Sequence, residues 1–119
     1  MVKLEQPDIW IWTGDNVYAD TQDPELFRRA YERQLSNLDY VGFIESVPHI
    51  TGTWDDHDYG VNDGGSEFPA KKLAKAELYR FLGVPKSEPS NTRDGVYRSA
   101  QYGTGERIVK VILLDTRWF

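Results

Sequence analysis

The chain has 119 residues, a net charge of −5, 39% hydrophobic and 13% aromatic residues, and no cysteine. This length allows one domain that buries a core, and the aromatic content favours an ordered globular protein over a disordered one. The missing cysteine excludes disulfides, thiolate catalysis and cysteine-ligated zinc within this chain. No cluster of Lys and Arg stands out to track a phosphate backbone, which argues against general nucleic-acid binding.

The sequence also bears on compartment and domain organisation. No apolar run approaches the length of a membrane span, and residues 1–6 lack the apolar core of a signal peptide. These observations leave the compartment and the oligomeric state open. Because internal repeats, low-complexity tracts and linkers are absent, residues 1–119 are predicted to belong to a single domain.

The first predicted strand is the compact apolar run Asp8–Trp12, which ends in Thr13-Gly14-Asp15-Asn16. It delivers an acid, Asp15, to its C-terminal end. Gly14 lets the backbone approach another segment closely.

Two helices are predicted between the first and the second strand. An N-cap and a proline predict an amphipathic helix from Pro24 to about Ser36, and a second, short helix is expected over 38–47. The order strand, helices, strand predicts a βαβ crossover with parallel pairing. The arginines of the first helix are expected on a solvated face: Arg28, Arg29 and Arg33.

The second strand, Ile50–Trp54, leads into the densest group of reactive side chains, Asp55-Asp56-His57-Asp58. Carboxylates and imidazole are ligands for divalent and trivalent metals. Such close packing of acids is costly unless a cation or water offsets their repulsion. Since open α/β sheets bind ligands at the carboxyl ends of their strands, this edge is the predicted site. His49, at the other end of the strand, is expected to be structural.

The rest of the chain predicts a loop over 61–70, a helix over 71–82, a polar loop over 85–94 and a hairpin over 96–115. The nearly continuous apolar run of the returning strand predicts a buried central position. That strand ends in a third acid, Asp115. The lysines of the helix are expected on a solvated face: Lys71, Lys72 and Lys75.

Three segments carry a family resemblance: Gly14–Asp20, Trp54–Gly60 followed by Asn62-Asp63, and Ile112–Arg117. In this order they resemble the alkaline phosphatase D (PhoD-like) family of the calcineurin-like metallophosphoesterase superfamily. The resemblance covers nearly the whole chain, but the family's upstream Cys ligand and its downstream Asp and His ligands are absent here. It therefore implies a central fragment of a catalytic domain. The implied fold is α/β, an incomplete part of a four-layer α/β/β/α sandwich with flanking helices.

The resemblance implies hydrolysis of phosphate monoesters and diesters of small molecules with Fe³⁺ and Ca²⁺. Asp15 is the candidate to bridge two metals, because each carboxylate oxygen can hold one; the alternative is a loop acid that caps a turn. Tyr18 resembles a ferric ligand, and its alternative is a core aromatic. Asp56 resembles a ligand of the second metal. His57 resembles the residue that contacts phosphate and protonates the leaving oxygen.

Asn62 offers a neutral oxygen ligand for a hard cation, and its alternative is a turn residue. Together, the expected metal ligands are Asp15, Tyr18, Asp56 and Asn62, and the expected catalytic residues are Asp15 and His57. A buried structural ion pair is expected between Asp115 and Arg117. Residues expected to support this site without binding metal are Asn16, Asp55, Asp58, Asp115 and Arg117. Among them, Asp55 and Asp58 are expected to orient His57 and its loop.

Two other functions remain open. A non-catalytic calcium-binding or partner-binding fragment that retains half of the site would bind calcium without hydrolysing esters. A carbohydrate-active enzyme would also use tryptophans and paired acids, and would be independent of metal. The second alternative ranks far behind, because the tryptophans fall within strands.

Overall fold

Two parallel strands form the base of the candidate site in the computed structural model, which describes residues 5–119. β1 (Ile9–Thr13) pairs with β2 (His49–Thr53), in a register that runs from Ile9 opposite His49 to Thr13 opposite Thr53. The predicted parallel pairing is confirmed. Because the two strands run the same way in register, their C-terminal ends lie side by side.

Two helices connect these strands, as predicted. α1 (Pro24–Leu35) begins at Asp23, whose carboxylate accepts hydrogen bonds from the first turn, and α2 (Leu38–Ile44) is capped by Asn37 in the same way. The inner face of α1 is fully buried at Phe27 and Tyr31. This burial anchors the helix, since each aromatic removes a large apolar area from water.

The segment after β2 forms one short helical turn, α3 (Asp56–Tyr59), which the sequence had not predicted. Then follow the predicted loop and α4 (Lys71–Phe81). Tyr40 of α2 stacks on Phe81 at a ring-centroid distance of 5.7 Å, and Trp54 stacks on Trp118 at 6.2 Å. These aromatic contacts join the helices and the end of β2 into one core.

The predicted hairpin is present as a second, antiparallel sheet of β3 (Arg98–Thr104) and β4 (Arg107–Leu113). The prediction that β4 occupies a buried central position is wrong. Ile108, Val109 and Ile112 are 54%, 57% and 64% exposed. The reason is topological: within residues 5–119, β4 pairs with β3 alone.

One predicted surface residue is buried. The side chain of Lys75 is only 7% exposed, and its ammonium donates hydrogen bonds to the carbonyls of Ser90 at 2.6 Å and Arg93 at 2.5 Å. The prediction of a solvated face is therefore wrong for Lys75, whereas Lys72 is exposed as expected. Through these hydrogen bonds, Lys75 links α4 to the loop before β3.

The described residues thus form a small α/β domain of four α-helices and two small sheets. No helix in this part of the chain is both long and apolar enough to cross a membrane. His49 lies at the far end of β2 from the acids and packs against Tyr102, at 5.0 Å between ring centroids. That contact agrees with its predicted structural role.

Candidate metal centre

The adjoining ends of β1 and β2 bring three potential metal ligands together. One ligand atom from each of Asp15, Asp56 and His57 lies within 4.8 Å of the other two. Asp15 follows β1, and the other two begin α3 directly after β2. The predicted meeting of the two acid-bearing strand ends is therefore confirmed as geometry.

Gly14 makes this meeting possible. Its φ of +117° is one that residues with a side chain rarely adopt, and a Cβ there would lie 2.6 Å from Asp55 Cβ and 2.8 Å from Asp55 N. Gly14 was predicted to allow a close approach to another segment. That segment is the one that begins at Asp55. Asp15 follows with a φ of +50°, a left-handed conformation that aspartate tolerates better than most residues.

Tyr18 lies over the centre from the β1–α1 loop. Its hydroxyl donates to Asp15 Oδ2 at 3.3 Å, and its ring lies 4.3 Å from the His57 ring, measured between centroids. With 66% of the side chain exposed, the alternative of a core aromatic is wrong. The negative charge of Asp15 raises the pKa of the Tyr18 phenol, and desolvation and the hydrogen bond to Asp15 act in the same direction.

His57 is oriented by Asp20, for which no role was predicted. The prediction that Asp55 and Asp58 orient the imidazole is wrong, because their carboxylates bind other groups. The imidazole Nδ1 lies 2.7 Å from Asp20 Oδ1, which leaves Nε2 as the other ring atom able to face a ligand. The hydrogen bond to Asp20 raises the pKa of His57 against the opposing effect of desolvation, and the charges of Asp20, Asp56 and Asp15 add to the rise. The available sequence indication was an acid two residues after Tyr18.

Asp56 is nearly buried, at 7% exposure, and is held as a carboxylate. The Asp63 N–H donates to its Oδ2 at 2.6 Å, and the Arg117 guanidinium lies 3.9 Å from its Oδ1. The backbone hydrogen bond is the largest of the effects that lower the pKa of Asp56; Arg117 and His57 also lower it, while desolvation opposes them. A deprotonated carboxylate is the form that binds a cation.

Asp58 joins the segment that follows β1 to the segment that follows β2 through hydrogen bonds. Its side chain is fully buried. Its Oδ2 accepts hydrogen bonds from the backbone N–H of Asn16 at 3.2 Å and from the Asn16 side-chain amide at 2.5 Å. Its Oδ1 accepts a hydrogen bond from the backbone N–H of Asp55 at 2.7 Å. Burial raises the pKa of Asp58 to about 7, although these N–H donors act in the opposite direction. Asp58 and Asn16 therefore hold the backbone on which Asp15 and Asp56 lie.

The expected ion pair between Asp115 and Arg117 is wrong. The Arg117 guanidinium instead binds Asp55 Oδ1, at 2.7 Å from Nε and 2.5 Å from an Nη atom. Asp115 accepts hydrogen bonds from the Trp54 indole and from the backbone N–H groups of Val96, Arg117 and Trp118. Asp115 and Arg117 thus each have other partners, because the Asp115 carboxylate is occupied by these four donors and the Arg117 guanidinium by Asp55.

Asn62 is placed beside the centre but outside the group of three. It is exposed, and its amide donates to the neighbouring Asp63 carboxylate at 3.0 Å. Its predicted role as a ligand stays a prediction. Its neighbour Asp63 makes the closer contact, through the backbone hydrogen bond to Asp56.

The donor set fits a hard cation. Calcium–oxygen distances of about 2.3–2.6 Å allow two ligand atoms of one ion to be up to about 5.2 Å apart, and the three ligand atoms here lie within 4.8 Å of one another. The carboxylates and the adjacent phenol are oxygen ligands of the kind that calcium and iron both accept, whereas the imidazole suits a transition metal such as iron.

A search with protein-family models gives no match to this chain, and neither curated proteins nor solved structures match it.

Proposed function

We propose that this chain is part of a metal-dependent phosphoester hydrolase of the PhoD-like type. The observation that carries the proposal is the gathering of Asp15, Asp56 and His57 within 4.8 Å at the ends of two parallel strands. The family resemblance of the segments around these residues adds to it. The four-layer α/β/β/α sandwich belongs to the same proposal, since the exposed apolar side chains of β4 leave room for a further layer.

Metal ions, with Fe³⁺ and Ca²⁺ as the proposed pair, would supply charge neutralisation at the phosphoryl group and a water of lowered pKa. Asp15, Asp56, Tyr18 and Asn62 are the proposed ligands. Asp15 is the proposed ligand shared by the two ions, because each of its carboxylate oxygens could hold one; its Oδ2 accepts a hydrogen bond from the Tyr18 hydroxyl.

His57 is the proposed general acid. Asp20 holds Nδ1 at 2.7 Å and so orients the ring, which leaves the proton on Nε2 for the leaving oxygen of the ester. Arg117 neutralises part of the charge of Asp55 and Asp56 and keeps both carboxylates in place. The substrate class is a phosphate monoester or diester of a small molecule.

A second candidate is a non-catalytic metal-binding fragment. The observation that favours it is the small ligand set: the described residues bring three acidic or imidazole ligands together, whereas one calcium ion takes six to eight oxygen ligands.

The test combines metal binding with turnover. Calcium and iron binding would be measured by calorimetry, and hydrolysis of bis-p-nitrophenyl phosphate and p-nitrophenyl phosphate would be followed with each metal. Asp15→Asn should abolish both properties. Asp8→Asn, the same change at the other end of β1, should leave them unchanged. Binding that depends on Asp15 without any hydrolysis would favour the second candidate, and equal behaviour of the two variants would refute both.

A further inference from the structure

A groove of about 620 Å³ opens next to the candidate metal centre, between the β1–α1 loop and α1. Two of its lining residues, Asn16 and Tyr18, also belong to the centre or to its support. The groove therefore borders the centre through these two residues. The wall of the groove that lies opposite the β1–α1 loop contains no residue of the proposed metal centre.

That opposite wall is one face of α1. Leu26, Arg29 and Arg33 line the groove and are spaced three and four residues apart, so that they lie along one stripe of the helix. The stripe is roughly 10 Å long at a rise of about 1.5 Å per residue. The other face of α1 is anchored by Phe27 and Tyr31, both fully buried. The wall thus has a fixed position relative to the centre.

The groove combines apolar surface with free positive charge. Tyr18 is 66% exposed and Leu26 is 54% exposed, and both line the groove, so they present apolar surface to it. Arg29 is paired with Glu25 at 2.5 Å. Across residues 5–119, by contrast, no carboxylate lies within ion-pair distance of Arg33. Arg33 is the cation left to bind an anion from outside.

We infer that this groove binds the organic group of the phosphate ester, and that it selects an aromatic group that carries its own negative charge. The inference rests on the proposed function for the position of the phosphoryl group. The Tyr18 ring and Leu26 would contact the aromatic ring, and the Arg33 guanidinium would pair with the anionic substituent. Arg33 is thus a specificity-determining residue at a distance from the ester bond.

The turnover test uses two matched diesters, bis(4-nitrophenyl) phosphate and bis(4-carboxyphenyl) phosphate, which differ in the charge of the ring substituent. Arg33→Gln should lower kcat/KM for the carboxylated diester by about threefold, as expected for one solvent-exposed ion pair. The value for the nitrophenyl diester should be unchanged. Comparing each substrate with itself across variants removes the difference in leaving-group reactivity. Arg28→Gln is the matched control, because Arg28 lies on the same helix and pairs with Glu77 outside the groove.

A binding test separates this inference from the proposed function. Dissociation constants of 4-carboxyphenylphosphonate and phenylphosphonate, neither of which is hydrolysed, would be measured by calorimetry on both variants and the parent chain. A preference for the carboxylated compound that disappears in Arg33→Gln supports the groove, even if no ester is hydrolysed. No preference, or one that Arg33→Gln leaves intact, overturns the inference. Hydrolysis of both diesters with an unaltered ratio in Arg33→Gln also overturns it, while the proposed function survives.

Discussion

The indole Nε1 of Trp54 donates a hydrogen bond to Asp115 Oδ1 at 2.9 Å, and this bond joins the end of β2 to the end of β4. The same carboxylate accepts three backbone N–H groups, from Val96, Arg117 and Trp118. The loop that carries Arg117 therefore depends on Asp115. In turn, Arg117 holds Asp55 beside the candidate metal centre.

Asp115→Asn should destabilise the fold by about 1–3 kcal/mol, because an amide cannot accept all of these hydrogen bonds and leaves part-buried donors unsatisfied. Urea denaturation followed by tryptophan fluorescence measures the loss. The control is Asp94→Asn, an exposed acid in the loop before β3. Equal stability of the two variants would contradict the role given to Asp115.

Asp20→Asn should lower the pKa of His57, since the hydrogen bond to Asp20 is the largest cause of its raised value. In the parent chain the negative charge of Asp20 stabilises the imidazolium form of His57. An asparagine amide has no charge, so this stabilisation is lost and the imidazole loses its proton at a lower pH. NMR titration of the metal-free chain measures both imidazoles, and the chain has only two histidines. His49 is the internal reference, because it lies at the opposite end of β2. A His57 titration that is the same in both proteins would show that Asp20 does not orient the ring.

Gly14→Ala should destabilise the protein by more than Gly83→Ala. Both glycines have positive φ, +117° and +66°, so each alanine meets an unfavourable backbone conformation. Only at position 14 would the new Cβ also collide with another segment, at Asp55, whereas nothing lies within 4 Å at position 83. We expect about 1–2 kcal/mol for Gly83→Ala and a larger loss for Gly14→Ala, measured by thermal and urea unfolding. Similar losses would argue against the close approach of the two strand ends.

Lys75→Met should destabilise the fold by about 1–3 kcal/mol, because the carbonyls of Ser90 and Arg93 lose their donor. Lys72→Met is the matched control on the exposed side of α4 and should change stability by less than about 0.5 kcal/mol. Hydrogen exchange of the 85–95 segment should increase in the first variant alone. Unchanged exchange there would show that Lys75 does not fasten the loop.

Much of the local structure could be predicted from the sequence. The apolar runs before Gly14 and Asp55, the Asp23-Pro24 helix start and the Gly-containing turn after β3 are local patterns, and the expected strands and helices appear with them. The meeting of Asp15 with the Asp55–Asp58 segment also followed, because a βαβ connection places parallel strand ends together. The position of the candidate site could therefore be predicted from local sequence patterns together with the rule that βαβ units pair their strands in parallel.

Local sequence patterns did not predict which groups the charged side chains bind. Asp20 binds His57, Arg117 binds Asp55 and Lys75 binds two loop carbonyls, and each contact spans residues distant in sequence. The exposure of β4 belongs to the same class, since an apolar run shows only that burial is favourable and not whether another strand is present to provide it. Apart from the helical turn α3, the sequence by itself determined which segments are strands and α-helices and where the acids lie along them, because those depend on local periodicity. Only the tertiary structure decided which acid meets which base, because hydrogen bonding depends on positions in space that local patterns do not encode.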